Sequence, residues 1–186
     1  MFPEGLKARE AYILERVTAG DYEHDWVEIS PGCSASADAL RVHGVRVNVS
    51  HRLQLEIARL LGAQLPTQIV CDVRHTLAQV IVPPVVLPIS SSVEAMVEHS
   101  RRIDQAIQER YPDTDTSGLI VSSVGKTWIW GEQTRNYGMH TDQKVYKGIK
   151  CEASTVPGLY VIQGPWAKHG PDHSDYSQTC QLVRMG

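Results

Sequence analysis

The stretch Gly125-Lys126-Thr127-Trp128-Ile129-Trp130, followed closely by Arg135-Asn136-Tyr137-Gly138, marks the change from helical to strand-like sequence. Both segments are rich in β-branched and aromatic residues, which are typical of strands. Residues 119–123, 158–163 and 179–183 have the same character. The last third of the chain is therefore predicted to be mainly β.

The sequence before residue 112 is mainly helical in pattern. Helices are predicted where apolar residues recur at helical spacing, and Ser50, Thr67 and a serine among residues 90–92 are suitable N-caps. The predicted helices cover about residues 6–19, 51–61, 67–77 and 93–110. Smaller strand signals lie at residues 26–29 and in a hairpin around His43-Gly44. The segment 82–88 contains three prolines and is predicted to be an extended connector.

This order of elements predicts one α+β domain spanning residues 1–186. The helical part is about residues 1–112, and the β-rich, site-bearing part is about residues 118–186. We expect the N-terminal helices to pack on a mainly antiparallel C-terminal β-sheet.

The composition excludes several functional classes. The net charge is −3, and no Lys/Arg stripe is present, so binding to nucleic acid is not expected. No apolar run is long enough to span a membrane. The N-terminus lacks the basic and apolar regions of a signal peptide, which predicts cytoplasmic synthesis and leaves the site of action open.

The four cysteines, Cys33, Cys71, Cys151 and Cys180, are far apart and form no C-x-x-C pair. This spacing argues against a zinc ribbon or a thioredoxin-type motif and favours free thiols. A cysteine hydrolase that uses Cys33 or Cys151 with His140 or His169 is one alternative.

Two polar clusters follow apolar runs and are predicted to be site loops at strand ends. The first is Asn136 to Asp142 and contains His140; the second is His169 to Gln178. His140 is a candidate general base or metal ligand, with a structural surface histidine as the alternative. A hydrogen-bonded network that fixes loops is the corresponding alternative for the whole second cluster.

A divalent metal such as zinc is one candidate cofactor. Zinc binds imidazole nitrogen and carboxylate oxygen, and carboxylates also orient histidine ligands. The candidate ligands are His140, His169, His173 and Asp175. Their spacing matches no standard motif such as H-E-x-x-H, and Gly170 with Pro171 requires a shaped loop to bring His169 and His173 together.

A metal-free site is the second possibility. Ser177 is a candidate nucleophile with a histidine as base and Asp175 as the group that orients it, although no G-x-S-x-G elbow surrounds Ser177. Lys126 and Tyr137 are candidates for stabilising developing negative charge. The Gly125-Lys126-Thr127 triplet lacks the first glycine of a phosphate loop and precedes a strand, so an NTPase is not predicted.

Nearly the whole chain resembles a family of uncharacterised bacterial and phage-encoded proteins. The shared features are a Gly-Asp and a tryptophan after the first helix, here Gly20-Asp21 and Trp26, and the motifs L-P-T…D, G-K-x-W, N-Y-G-W-H and H-x-x-x-H-x-D-Y-S-Q. The motifs correspond to Leu65-Pro66-Thr67 with Asp72, Gly125 to Trp128, Asn136 to His140, and His169 to Gln178. Met139 departs from the family tryptophan, which would alter a cleft wall without removing His140.

The resemblance implies a shared polar set and, through its phage members, a role in cell-wall hydrolysis. The predicted function is a small, endolysin-like hydrolase of a cell-envelope polymer of the peptidoglycan type, with a cell-envelope polymer or a small polar ligand as partner. The alternative is a non-catalytic binding or virion-associated module. The predicted catalytic residues are His140, His169, Asp175, Ser177, Lys126 and Tyr137. The predicted substrate-binding residues are Asp72, Asn136, Trp128, Tyr176 and Gln178.

Overall fold

The protein is described by a computed structural model that covers residues 1–165 and 169–186. These residues form an α+β fold, which confirms the predicted class. The helices are α1 (Leu6–Thr18), α2 (His51–Leu60), α3 (Gln68–Thr76) and α4 (Val93–Arg110). None of the described helices combines the length and the apolar character needed to cross a membrane.

Three of the four helices begin at side-chain caps, as the sequence predicts. The hydroxyls of Ser50, Thr67 and Ser92 accept hydrogen bonds from the backbone N–H groups three residues later. Such a cap satisfies a backbone donor that the first turn of a helix leaves without a partner. The caps therefore fix where α2, α3 and α4 begin.

The strands of residues 1–165 and 169–186 form five small sheets, four of which are antiparallel. They are β1 (Trp26–Ser30), β2 (Cys33–Ser36), β3 (Arg41–Val42), β4 (Val45–Arg46), β5 (Val80–Ile81), β6 (Val121–Ser122), β7 (Lys126–Ile129), β8 (Arg135–Thr141), β9 (Val145–Tyr146), β10 (Ile149–Lys150), β11 (Glu152–Ala153), β12 (Tyr160–Gln163) and β13 (Val183–Met185). The largest sheet has the order β11-β12-β8-β7, and the pair β5-β6 is parallel.

The hairpin β3-β4 agrees with the sequence prediction. His43 and Gly44 form its two-residue turn with φ angles of 51° and 74°. Positive φ at both central residues is required by the turn type that matches the twist of the two strands. Gly44 meets this requirement without steric cost.

Other strand predictions were incomplete. β2 was not predicted, nor were the short strands β5, β9, β10 and β11. The predicted last strand at residues 179–183 is shifted to β13, which pairs with β2. These elements are two to four residues long, too short for a sequence period to be recognised, and β13 pairs with a strand about 150 residues earlier in the chain.

The main core lies where α1 and α2 meet the hairpin β3-β4 and strand β7. Trp128 on β7 is fully buried there, and its indole N–H donates to the carbonyl oxygen of Val49 at 2.8 Å. The side-chain amide of Gln54 on α2 also donates to the hydroxyl of Thr127, the residue before Trp128 on β7, at 2.9 Å. Trp128 is thus a core residue that joins α2 to the sheet, which corrects its predicted role in substrate binding.

A buried arginine joins the hairpin to α4. Arg46 on β4 is 1% exposed, and its guanidinium group contacts Asp38 at 2.7 Å and Asp104 of α4 at 2.7 Å. Burial alone would raise the pKa of Asp38, but the charges and hydrogen bonds of Arg46 and Arg41 outweigh this effect and lower it. Asp38 is therefore held as a carboxylate that depends on its arginine partners.

We predict that Arg46→Ala lowers the free energy of unfolding by about 3–5 kcal/mol, because it leaves the mostly buried Asp38 carboxylate without its main partner. The measurement is denaturant unfolding near neutral pH. Arg52→Ala is the matched control, since Arg52 and Asp172 form a solvent-exposed pair that is expected to contribute little to stability. Equal losses in the two variants would contradict this role of Arg46.

Candidate functional site

The centre of the candidate site is the carboxylate of Asp72 on α3, which is fully buried. Its Oδ1 accepts hydrogen bonds from the Tyr137 hydroxyl at 2.7 Å and from His140 Nε2 at 2.8 Å. Its Oδ2 accepts from the backbone N–H of Thr155 at 2.9 Å and from the Thr155 hydroxyl at 2.6 Å. Four donors surround one carboxylate, an arrangement that satisfies a buried negative charge.

These hydrogen bonds decide the charge state of Asp72. Burial would raise the pKa of Asp72, but the hydrogen bonds from His140, Thr155 and Tyr137 together outweigh burial and lower it. Asp72 is therefore ionised at neutral pH.

The backbone of β8 brings Tyr137 and His140 to the same carboxylate oxygen. Residues three positions apart on a regular strand face opposite sides of the sheet. Between these two residues, however, Gly138 has φ 138° and Met139 has φ 60°. The departure from regular strand geometry lets both side chains reach Asp72. Gly138 is also required sterically, because a Cβ atom there would lie 3.0 Å from the Gly125 carbonyl oxygen.

This location corrects two sequence predictions. His140 was expected just beyond a strand end, but β8 continues to Thr141 and includes it. Met139, expected to alter a cleft wall, is a buried residue with 3% exposure. The positive φ of Met139 could not be predicted, because residues other than glycine rarely adopt it.

The bond to Asp72 fixes the protonation pattern of the His140 ring. Because Asp72 is an ionised acceptor, the proton lies on His140 Nε2, and Nδ1 carries the lone pair. Burial lowers the pKa of His140 and outweighs the opposing effect of Asp72. His140 is therefore a neutral imidazole, and among the described residues its ring makes one side-chain hydrogen bond, from Nε2 to Asp72, which leaves Nδ1 unpaired.

A second histidine, His75, stacks on His140 with ring centroids 4.7 Å apart. Its Nδ1 lies 2.7 Å from the Ser122 hydroxyl oxygen. Burial, with smaller effects from His140 and Arg74, lowers the pKa of His75 to about 4. His75 was not among the predicted site residues. The available signal was its position on α3 three residues after Asp72, which places both on one helix face.

The two stacked rings line a cleft of about 380 Å³. The proline-rich connector forms one wall of this cleft, and the segment after β8 forms another. Besides His75 and His140, the main polar lining residues are Arg110, Asp142, Gln143 and Tyr146. The volume falls within the range of about 300–1,000 Å³ that is common for small-molecule sites.

A second polar cluster surrounds Asp175. Its Oδ2 lies 2.8 Å from Lys126 Nζ and 3.9 Å from His173 Nε2, and its Oδ1 accepts bonds from the Ser177 backbone N–H and hydroxyl. Burial would raise the pKa of Asp175, but Lys126 and Ser177 together outweigh burial and lower it. The Ser177 hydroxyl is thus engaged with Asp175, and no histidine bonds to it among the residues that the structure describes.

The rest of the His169–Gln178 motif holds this loop in place. The rings of His169 and His173 stack with centroids 4.4 Å apart. The Tyr176 hydroxyl accepts a bond from the Leu87 backbone N–H, and the Gln178 side-chain oxygen accepts one from the Asp175 N–H. Tyr176 and Gln178 therefore have structural contacts where substrate contacts were predicted.

The strand pair β7-β8 separates the two clusters. Lys126 and Trp128 alternate with Thr127 along β7, so they face the opposite side of the sheet from Thr127 and its cross-strand partner Tyr137. Within the described ranges, no hydrogen bond, ion pair or ring contact joins the His140 cluster to the Asp175 cluster. The predicted catalytic set is thus divided between two faces.

The same separation divides the predicted metal ligands. His140 is bonded to Asp72, whereas His169, His173 and Asp175 lie in the second cluster. Across residues 1–165 and 169–186, no three His, Cys, Asp or Glu side chains are placed to share a metal ion. The donor set proposed for zinc therefore does not fit one metal centre in this geometry.

The remaining predicted residues also have defined places. Asn136 is fully buried, and its side-chain amide has no hydrogen-bond partner in the described part of the chain. Cys33 and Cys151 are buried free thiols, and neither bonds to a histidine in that part. The arrangement of Cys33 and Cys151 thus lacks the histidine contact that a cysteine nucleophile requires.

We predict that His75→Gln reduces the dependence of stability on pH. The unfolded chain binds a proton on His75 below about pH 6.5, whereas the folded protein does so only near pH 4, so stability is lost as pH falls. His75 should account for about 2 kcal/mol of the loss between pH 7 and pH 5. Denaturant unfolding at each pH gives the slope of the free energy of unfolding against pH for the wild type and for His75→Gln.

Between pH 7 and pH 8 the two proteins should have nearly the same slope, because His75 is mostly neutral in both the folded and the unfolded state over this interval. An unchanged slope between pH 5 and pH 7 in His75→Gln would contradict the assignment of a neutral, buried His75.

Comparisons of this chain with protein-family models, with curated proteins and with solved structures found no match. The case for a functional site at Asp72 and His140 therefore comes from their geometry and from the cleft beside them.

Proposed function

We propose that this protein is a hydrolase in which His140 is the general base and Asp72 is the residue that orients it. One observation carries the proposal. Four hydrogen bonds hold Asp72 as an ionised acceptor for His140 Nε2–H, and this leaves Nδ1 as the unpaired nitrogen of a histidine that lines the cleft.

The proposed reaction begins when His140 Nδ1 accepts a proton from a water molecule that attacks the scissile carbonyl carbon. The imidazolium ion that forms is stabilised by the Asp72 carboxylate through the existing bond to Nε2. His140 then gives the proton to the leaving group, which returns the ring to its neutral form. Neither step requires Asp72 to change its charge.

Other residues support this chemistry by position. Tyr137 was predicted to stabilise negative charge on the substrate, but its hydroxyl donates to Asp72, so we assign it to holding that carboxylate. His75 stacks on His140 and limits the orientations available to the ring. Arg110 also lines the cleft and provides a positive charge for an anionic part of the substrate.

We propose a cell-envelope polymer of the peptidoglycan type as the substrate. The resemblance to phage-encoded proteins supports this choice, and the carboxylates of wall peptides suit a cleft that contains Arg110. The bond broken would be an amide of the peptide portion, since a general base and water are sufficient reagents for its hydrolysis.

We predict that His140→Ala lowers the turnover of purified cell-wall sacculi by at least about 100-fold, because general-base catalysis contributes about 10²–10⁴. Release of free amino groups measures the reaction. His173→Ala is the matched control: it removes a histidine on the opposite face of β7-β8 and should retain wild-type turnover. Loss in His173→Ala with full activity in His140→Ala would contradict the proposal.

Asp72→Asn tests the orienting role separately. We predict that it lowers turnover and also shifts the His140 population away from the tautomer protonated at Nε2, because an amide can donate to the ring as well as accept from it. Nitrogen NMR of the histidine rings reports this tautomer without any substrate. An unchanged tautomer in Asp72→Asn would show that Asp72 does not orient His140.

A further inference from the structure

The exposed ring of Trp130 is unexplained by the proposed hydrolase. Trp130 directly follows β7 and is 66% exposed, although its neighbour two residues earlier, Trp128, is completely buried. Its backbone N–H donates to the Pro66 carbonyl oxygen at 2.9 Å, which ties the start of the β7-β8 turn to the segment before α3. A large aromatic ring is thus held at the surface by an anchored backbone.

Trp130 forms part of a groove of about 350 Å³ at the turn between β7 and β8. The volume is in the range of sites that bind small molecules. Beside the indole ring, the groove is lined by Ile129, Gly131 and Pro165 and by four hydrogen-bonding side chains. These polar residues are Gln68, Glu132, Gln133 and Arg135.

Some polar groups of the groove bond to each other, and others have no hydrogen-bond partner among the described residues. Arg135 Nη2 donates to Gln133 Oε1 at 3.0 Å, which holds both side chains in position. Arg135 Nε is buried and has no hydrogen-bond partner within residues 1–165 and 169–186. The Glu132 carboxylate likewise makes no side-chain hydrogen bond within these ranges. A buried donor without a partner is costly and therefore indicates a position that a ligand can satisfy.

This combination of groups selects a class of ligand. An apolar peptide would cover the amide, carboxylate and guanidinium groups without satisfying them, at a cost in free energy. A nucleic acid would require a surplus of positive charge, but Glu132 offsets Arg135 here and the whole chain has a net charge of −3. A sugar ring presents one apolar C–H face to an indole and hydroxyl groups around its edge to the planar polar side chains.

We infer that this groove is a carbohydrate-binding site in which a pyranose ring stacks on Trp130 and its hydroxyl groups bond to Gln68, Glu132, Gln133 and Arg135. The inference concerns binding and does not depend on the chemistry of His140. Arg135 begins β8 and His140 lies five residues further along it, so they are at most about 17 Å apart at about 3.3 Å per residue.

One extension rests on the proposed function. If the substrate is a wall polymer, the groove would hold its glycan strand while the cleft at His140 receives the attached peptide. A separation of this size suits a binding site and a reaction site on one extended polymer.

The experiment is a titration with chitotetraose, a soluble oligomer of N-acetylglucosamine, followed by calorimetry and by nitrogen–proton NMR of the indole groups. We expect saturable binding to the wild-type protein with a shift confined to the Trp130 indole signal. Trp130→Ala should weaken binding at least 10-fold, and Trp130→Phe should retain part of it because a smaller aromatic face remains. Thermal unfolding should be nearly unchanged in both variants, since Trp130 is exposed.

His140→Ala is the control that separates the two proposals, and it should bind chitotetraose like the wild-type protein. Cellotetraose and a proline-rich peptide complete the panel. The inference is overturned if no sugar in the panel binds, if Trp130→Ala binds sugar as tightly as the wild type, or if only the peptide binds at Trp130. A loss of turnover in His140→Ala with intact sugar binding would support both proposals.

Discussion

The buried carboxylate of Asp72 is the constraint on which the site and much of the fold depend. A negative charge without water must be paired or hydrogen-bonded, and here its donors come from β8 and from the segment after β11. The same helix carries Arg74, which donates to the carbonyl oxygens of Ser36, Ala37 and Val121 at 2.6–2.8 Å. Helix α3 therefore connects the four-stranded sheet to β2 and β6 through two buried charged groups.

The strand pair β7-β8 is the second organising feature, because its two faces separate the polar motifs of the sequence into two clusters. Side chains at successive positions face opposite sides, so Lys126 lies on the side of Asp175, whereas the next residue, Thr127, shares the other side with its cross-strand partner Tyr137. Gly125 and Gly138 allow the close approach of backbone around this pair. A Cβ on Gly125 would lie 2.6 Å from the Ser177 carbonyl oxygen. The Asp175 loop is thereby held on one face while Asp72 and His140 meet on the other.

Much of the local structure was predictable from particular residues. Ser50 and Thr67 marked the starts of two helices, His43-Gly44 marked a hairpin turn, and the prolines of residues 82–88 marked the connector that now lines the cleft. Three members of the candidate site, Asp72, Tyr137 and His140, were also among the predicted residues. His75 and Thr155 were missed, because each contributes through a contact with a residue far away in sequence. His75 stacks on the His140 ring, and Thr155 bonds to the Asp72 carboxylate.

The sequence by itself determined the α+β class, the helix starts and the types of side chain available for chemistry, because caps, turns and periodicity act over a few neighbouring residues. Only the tertiary structure decided which of those side chains meet. The bonds to Asp72 join residues 65, 68 and 83 positions apart. They also depend on the positive φ of Met139. The surrounding sheet stabilises this conformation, and a methionine in the sequence does not predict it. Long-range hydrogen bonds and one irregular strand thus placed His140 on Asp72 and kept both away from Asp175.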